Sequence, residues 1–233
     1  MIGQKLNLEV GPGLIEERVL VGLTQDTLTV KNKDNVDEVF SRDKIRGAQF
    51  NIGTLEDALY HIINSGSARH CPYCYLGLLY AVDLLATNYE AQAFSARSDL
   101  IRGGIISYLE GSFSMASYSL LPQLDGIIHQ ILYEDGLLKM TKGYPVWTKE
   151  HPKAELHKKP CKNIVQAING AIEAGKDSRL NFVAINRVVN LEDIRNTRNK
   201  MLHGSLLDVT EHQVSSIVYM LHAAYEGVAT NLH

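Results

Sequence analysis

The first fifty residues are short aliphatic and β-branched runs separated by turn residues, a pattern that extended strands require. Val19-Leu20-Val21-Gly22-Leu23 and Leu28-Thr29-Val30 enclose the polar Thr24-Gln25-Asp26-Thr27, which reads as a hairpin. Glu38-Val39-Phe40 and Ile45–Phe50 offer more strand, and Gly11-Pro12-Gly13 punctuates the stretch before. A small antiparallel sheet is predicted over residues 1–52.

From Thr54 the apolar period changes from two to about 3.6 residues, the signature of helices with one buried face. Thr54-Leu55-Glu56-Asp57 resembles an N-cap with an acidic first turn, and Leu55, Leu59, Ile62 and Ile63 then share a face. Further amphipathic stretches run from Tyr75 to about Ala96 and from Leu100 to Leu120, and Pro122 is placed to open a helix over Gln123–Glu134. Residues 139–162 break the pattern with Pro145, Pro152 and Pro160 and the lysines 139, 142, 149, 153, 158, 159 and 162, and read as a basic loop. Helices resume over Asn163–Ala174, after the cap pattern Asn190-Leu191-Glu192-Asp193, and after the capping box Thr210-Glu211-His212-Gln213. The expected fold is mainly α: a helical bundle over residues 53–233 preceded by the small sheet, α+β overall.

Composition narrows the function classes. With 233 residues, 45% hydrophobic and 21% charged, the chain can bury a sizeable core, which excludes disorder. A net charge of -3 and a pI of about 6.3 argue against coating nucleic acid through bulk positive charge, so any such chemistry must be local. No run of about 18 apolar residues and no basic-then-apolar leader is visible, and three cysteines fit a reducing compartment, so a cytoplasmic protein without membrane association is expected.

Three motifs bear on chemistry. Cys71-Pro72-Tyr73-Cys74 is similar to the glutaredoxin redox motif, but no strand leads into it; structural thiols are the favoured reading, with a metal site completed by His70, His61 or Cys161, or a redox pair, as alternatives. Gly170-Ala171-Ile172-Glu173-Ala174-Gly175-Lys176-Asp177 falls one residue short of a phosphate-binding loop, and Asp177 stands where Ser or Thr should bind Mg²⁺. A helix C-cap at Gly175 explains it more simply.

The third motif is Arg195-Asn196-Thr197-Arg198-Asn199-Lys200-Met201-Leu202-His203-Gly204. On a helix, Arg195, Asn199 and His203 form a stripe at i, i+4 and i+8, with Arg198 on its flank. Histidine exchanges a proton near neutral pH, arginine holds phosphate through paired hydrogen bonds, and an amide can orient either partner. The same residues would also serve as a solvated charged face balancing Glu192 and Asp193. The string Arg198-Asn199-x-x-x-His203, with Leu before the His and Gly after it, resembles the motif of the HEPN family, and Leu120–Ile128 is similar to segments of its prokaryotic members.

The resemblance covers about residues 75–233. It implies a HEPN-like helical bundle and a metal-independent endoribonuclease of a prokaryotic toxin or antiviral defence system, a hydrolase-class endonuclease needing no cofactor. Its implied catalytic residues are Arg198, Asn199 and His203, with Arg195 and Lys200 as substrate-binding cations. The implied partners are RNA, a second copy of the chain sharing the site, and an antitoxin or defence-system protein; a non-catalytic HEPN-like nucleotide- or RNA-binding module is the alternative. Asp193 and Thr197 replace an upstream acid and lysine of some members, and Ser205 stands where others carry a modifiable tyrosine, which disfavours control by tyrosine nucleotidylation. Glu110 and Asp125 are candidates to orient His203 or Arg198, beside a purely structural role. His61 and His129 read as helix-surface or core-edge residues, and His151 and His157 as part of the loop.

Overall fold

The computed structural model describes residues 5–11, 14–41, 67–70, 75–81, 92–180, 189, 191–204 and 208–230. The expected strand at Ile45–Phe50, the helix from Thr54, and Cys71, Cys74, His61 and Ser205 lie outside them, as does part of the Tyr75–Ala96 helix.

The N-terminal sheet forms as its pattern predicts. Strands β1 (Lys5–Gly11), β2 (Leu14–Leu23), β3 (Thr27–Lys31) and β4 (Asp37–Ser41) pair antiparallel in that order. Leu6, Leu8, Leu20, Leu28 and Val30 point to one side and join the same hydrophobic core as the helices. The turn from β2 to β3 is tied down by Thr24, whose hydroxyl accepts from the Thr27 N–H at 2.9 Å. The Tyr80 hydroxyl lies 2.9 Å from the carbonyl oxygens of both Thr24 and Thr27, fastening the sheet to the helical body.

Among the described residues the body is predominantly helical: α1 (Gln92–Ser95), α2 (Ser98–Leu109), α3 (Phe113–Glu134), α4 (Ile164–Ala174), α5 (Leu191–Leu202) and α6 (Glu211–Thr230). None of them is long and apolar enough to cross a membrane. Helix α3 is the spine, packing against α2, α4 and α6. Its partner α6 is not merely amphipathic. Val214 to Ala224 are buried without interruption, so this helix runs through the core. The Thr210–Gln213 capping box that starts it is present: Gln213 Oε1 accepts from the Thr210 N–H at 2.9 Å, and the Thr210 hydroxyl from the Gln213 N–H at 3.4 Å.

Two boundaries differ from the periodicity reading. The single helix expected over Leu100–Leu120 is broken after Leu109 by a Schellman turn, in which the Ser112 N–H donates to Ser107 O at 2.8 Å and the left-handed Gly111 N–H to Tyr108 O at 3.1 Å. Pro122 then lies inside α3 instead of opening a helix. An interior proline costs about 3 kcal/mol. Fully burying a Leu or Ile returns about 1.5–3 kcal/mol, and Leu120, Leu121, Leu124, Ile127, Ile128, Ile131 and Leu132 are all at most 2% exposed. Burial therefore carries the helix through the proline.

The segment 139–162 is not an irregular loop. Strands β5 (Leu138–Thr141) and β6 (Tyr144–Trp147) pair as a two-stranded hairpin. Its turn residues Lys142 and Gly143 have φ of 52° and 85°, the left-handed pair of a type I′ turn, which Gly143 adopts without strain. Pro160 returns to bridge Val146. His151, within this segment, is 1% exposed: Nε2 donates to Gly170 O at 3.0 Å and Nδ1 accepts from the Lys153 N–H at 3.1 Å. The buried Trp147 packs on His151 and on Gly170, where a Cβ would lie 2.1 Å from the indole. Helix α4 follows with Asn163 as N-cap, its Oδ1 accepting from the Gln166 N–H at 3.0 Å, and ends at Gly175. Gly175 stands at the C-cap with φ 58°, as the C-cap reading of this stretch expects, and a single 3₁₀ turn follows over residues 175–177.

Candidate functional site

Helix α5 is oriented by its apolar stripe. Ile194 and Thr197 are 1% exposed and Met201 is partly buried, a stripe at i, i+3 and i+7 that faces the core. The Met201 sulfur accepts from the Ser117 hydroxyl at 3.3 Å, so the last turn of α5 rests on the first turns of α3. Glu192 and Asp193 in the first turn and Lys200 in the last complement the helix dipole. With the core on that side, Arg195, Asn199 and His203 are turned to solvent and Arg198 falls on the boundary.

His203 follows the last residue of α5, its N–H donating to Asn199 O at 3.1 Å. Gly204 then reverses the chain at φ 63°, a left-handed conformation that holds the imidazole at an exposed helix end. Asn199 and Lys200 are exposed beside it. Arg195 is paired with Glu192 on the surface of the same helix. Exposed pairs of this kind add little, about 0–1 kcal/mol.

Arg198 is the fixed member. Its side chain is 28% exposed, and Nε donates to Asp125 Oδ2 at 3.2 Å, linking α5 to α3. The other carboxylate oxygen lies 3.1 Å from His129 Nδ1, one turn along α3, while the Nδ1–H is directed at the Asp125 carbonyl oxygen at 2.9 Å. His129 Nε2 faces Cys161 Sγ at 3.9 Å. Burial alone would raise the Asp125 carboxyl pKa, but the adjacent His129 ring and the charge and hydrogen bond of Arg198 outweigh it and hold the group below its ordinary range. For His129 burial opposes the charged form, yet the bonds to Asp125 and Cys161 prevail and push its pKa up to about 10. At neutral pH His129 is therefore a fixed imidazolium and not a proton acceptor.

Arg198 and His129 share the wall of a cavity of ≈ 540 Å³ that is also lined by Tyr144, Pro145, Pro160, Cys161, Lys162 and Asn163. The structure thus brings Arg198 to Asp125, one of the two carboxylates the sequence singles out, while Glu110 merely ends α2. His203 does not line the cavity, nor do Asn199, Arg195 or Lys200. His129 sits at a core edge, one of the two places its periodicity suggests, and there it joins Asp125 and Cys161. The signal for it was present: Asp125 and His129 are four apart on one helix, so they share a face. Among the described residues no group of three or more His, Cys, Asp and Glu is arranged to hold a metal ion. No protein-family model matches the chain, and neither the curated proteins nor the solved structures contain a significant match to it.

Proposed function

We propose that this chain is a metal-independent endoribonuclease of the HEPN type, acting as a homodimer within a prokaryotic toxin or defence system whose partner protein restrains it. The observation that carries this reading is the division of labour on α5: Arg198 is locked to Asp125, while Asn199 and His203 project into solvent from the helix end. In the proposed reaction an imidazole removes the proton of a ribose 2′-hydroxyl, and the 2′-oxygen attacks the adjacent phosphorus. The 5′-oxygen leaves with a proton, giving a 2′,3′-cyclic phosphate and a 5′-hydroxyl. Arg198 holds the phosphate and stabilises charge on the phosphorane-like transition state, and Asn199 orients the imidazole or the phosphate.

One imidazole cannot be base and acid at the same instant, and the second is supplied by His203 of another copy. Exposed apolar side chains around the helix end support such pairing: Leu202 beside His203 is 67% exposed, and Met115 and Tyr118 flank the Ser117 that touches Met201. The purified protein is expected to cut RNA in EDTA and leave 2′,3′-cyclic phosphate ends, and His203→Ala to abolish cleavage with an unchanged Tm. Cleavage that needs Mg²⁺, or that survives in His203→Ala, overturns the mechanism. A second reading, a non-catalytic nucleotide- or RNA-binding module, is favoured by the cavity beside Arg198 being lined by His129 and not by His203. It predicts binding without cleavage in the same assay.

A further inference from the structure

The cavity beside Arg198 is built by elements far apart in the chain: α3 brings His129, the 138–147 hairpin brings Tyr144 and Pro145, the residues entering α4 bring Lys162, and α5 brings Arg198. Its charges do not cancel. Among the described residues, Lys162, Arg198 and the His129 imidazolium stand against one carboxylate, Asp125, which contacts both Arg198 and His129. Asp125 engages the Arg198 guanidinium through Nε, which leaves the outer edge of the fork for an incoming anion. The same cavity also has apolar and aromatic lining, with Tyr144 47% exposed beside Pro145, and with Pro160. Cations and an exposed aromatic ring lining one cavity suit a ligand that carries both a phosphate and a planar ring. At ≈ 540 Å³ the volume falls in the range of small-ligand pockets, about 300–1,000 Å³.

We propose that this cavity is a nucleotide subsite: it receives one phosphate–ribose–base unit of an RNA strand, with the phosphate at Arg198 and Lys162 and the base against Tyr144. The assignment to a strand rests on the nuclease reading, because Arg198 belongs to both sites. The subsite places the nucleotide next to the scissile bond, so the hairpin, which the helical motif does not need for chemistry, becomes the element that selects substrate. Stacking on an aromatic ring tolerates any base, so the subsite favours unpaired RNA over duplex.

The test is a fluorescence-polarisation titration of the wild-type protein with a labelled 2′-O-methyl RNA decamer of mixed sequence, which has no 2′-hydroxyl to attack. Tyr144→Ala is expected to weaken binding about tenfold, as loss of one base–aromatic stack does, and Tyr144→Phe to retain it. Lys162→Glu is expected to weaken binding to a similar degree. Lys176→Glu, the same charge change at the far end of α4, is expected to leave binding unaltered. Tyr144 and Lys162 are both exposed, so folding is not at stake. Tyr144→Ala and Lys162→Glu proteins that bind like wild type overturn the subsite. Binding of adenosine 5′-monophosphate without binding of the decamer overturns the assignment to a strand. Cleavage by His203→Ala separates the two readings: an inactive His203→Ala with undiminished binding by Tyr144→Ala removes the subsite and keeps the nuclease, and the reverse pair of results does the opposite.

Discussion

Replacing Asp125 by Asn removes one negative charge from between two positive ones while keeping the side-chain shape. Arg198 Nε and His129 Nδ1 then face a neutral amide. The cost lies between two limits: exposed ion pairs contribute about 0–1 kcal/mol, and stripping one partner from a fully buried pair costs about 3–5 kcal/mol. Side-chain exposures of 23% for Asp125, 28% for Arg198 and 20% for His129 put this cluster between them. About 2 kcal/mol is expected at neutral pH after discounting for solvent screening, or roughly 4–8 °C in Tm for a chain of this length. The pH dependence is the sharper test. The folded pKa of His129 is raised from 6.5 to about 10, so its stabilising contribution is complete below about pH 6.5 and is lost as pH rises through about 10. The Asp125 carboxyl, held below 3.8, stays ionised over that whole interval. Wild-type protein therefore loses the His129 contribution on the alkaline side, and Asp125→Asn has less of it to lose. The Tm gap between them, followed by scanning fluorimetry from about pH 7 to about pH 10.5, is expected to narrow. A gap that stays constant or widens refutes the argument and returns the cluster to an ordinary screened surface pair.

Two further substitutions test the packing around this cluster. Gly170→Ala sets a methyl group 2.1 Å from the Trp147 ring, and overpacking of that kind costs about 1–3 kcal/mol, so Tm is expected to fall by several degrees; an unchanged Tm means the hairpin does not seat on α4 as described. His222, inside α6 and 2% exposed, has its pKa pushed down to about 3 by burial. The unfolded chain therefore binds a proton that the folded one refuses between about pH 6.5 and about 3, and stability falls as pH drops through that interval. His222→Leu is expected to flatten this acid limb in melts at about pH 4 and pH 7, and an equally steep limb in the variant would assign it elsewhere.

Features legible in the sequence share one property, that neighbours along the chain decide them. The Thr24–Thr27 turn, the helix start at Asn163, the Gly175 stop and the Thr210–Gln213 capping box are each settled by residues within four positions, and each forms. Pro122 fails the same logic because burial of residues on both sides of it outweighs a local preference. The 138–147 hairpin was hidden by composition: seven lysines and three prolines mask the Lys142-Gly143 turn and the buried Leu138, Val146 and Trp147. The motif stripe on α5 was readable because 3.6 residues per turn dictates it. The cavity was not, since positions 125–129, 144–145, 160–163 and 198 meet only in three dimensions. Asp125 falls between these cases. Its chemistry marked it as a possible partner for Arg198, and only the crossing of α3 and α5 made it one.

The balance of charge, which weighs against a nucleic-acid role when taken over the whole chain, looks different once the cations are placed. Several arginines are already paired with carboxylates: Arg18 with Glu16 and Glu38, Arg179 with Glu134 and Asp135, and Arg195, on the surface, with its own helix neighbour Glu192. Arg198 and Lys162 instead border a cavity, and the Asp125 carboxylate that Arg198 contacts is shared with His129. A strand seated on so few cations gains little from counterion release, which scales with the number of phosphates neutralised. In the proposed subsite, affinity comes from fit: the base against Tyr144 and the phosphate against the Arg198 fork. A near-neutral surface keeps the weak, sequence-blind part of binding small, and the contribution of these specific contacts to discrimination becomes correspondingly larger. On the proposed nuclease reading, the low overall charge and the confined cationic pocket serve one end, attack on particular unpaired segments in place of general degradation.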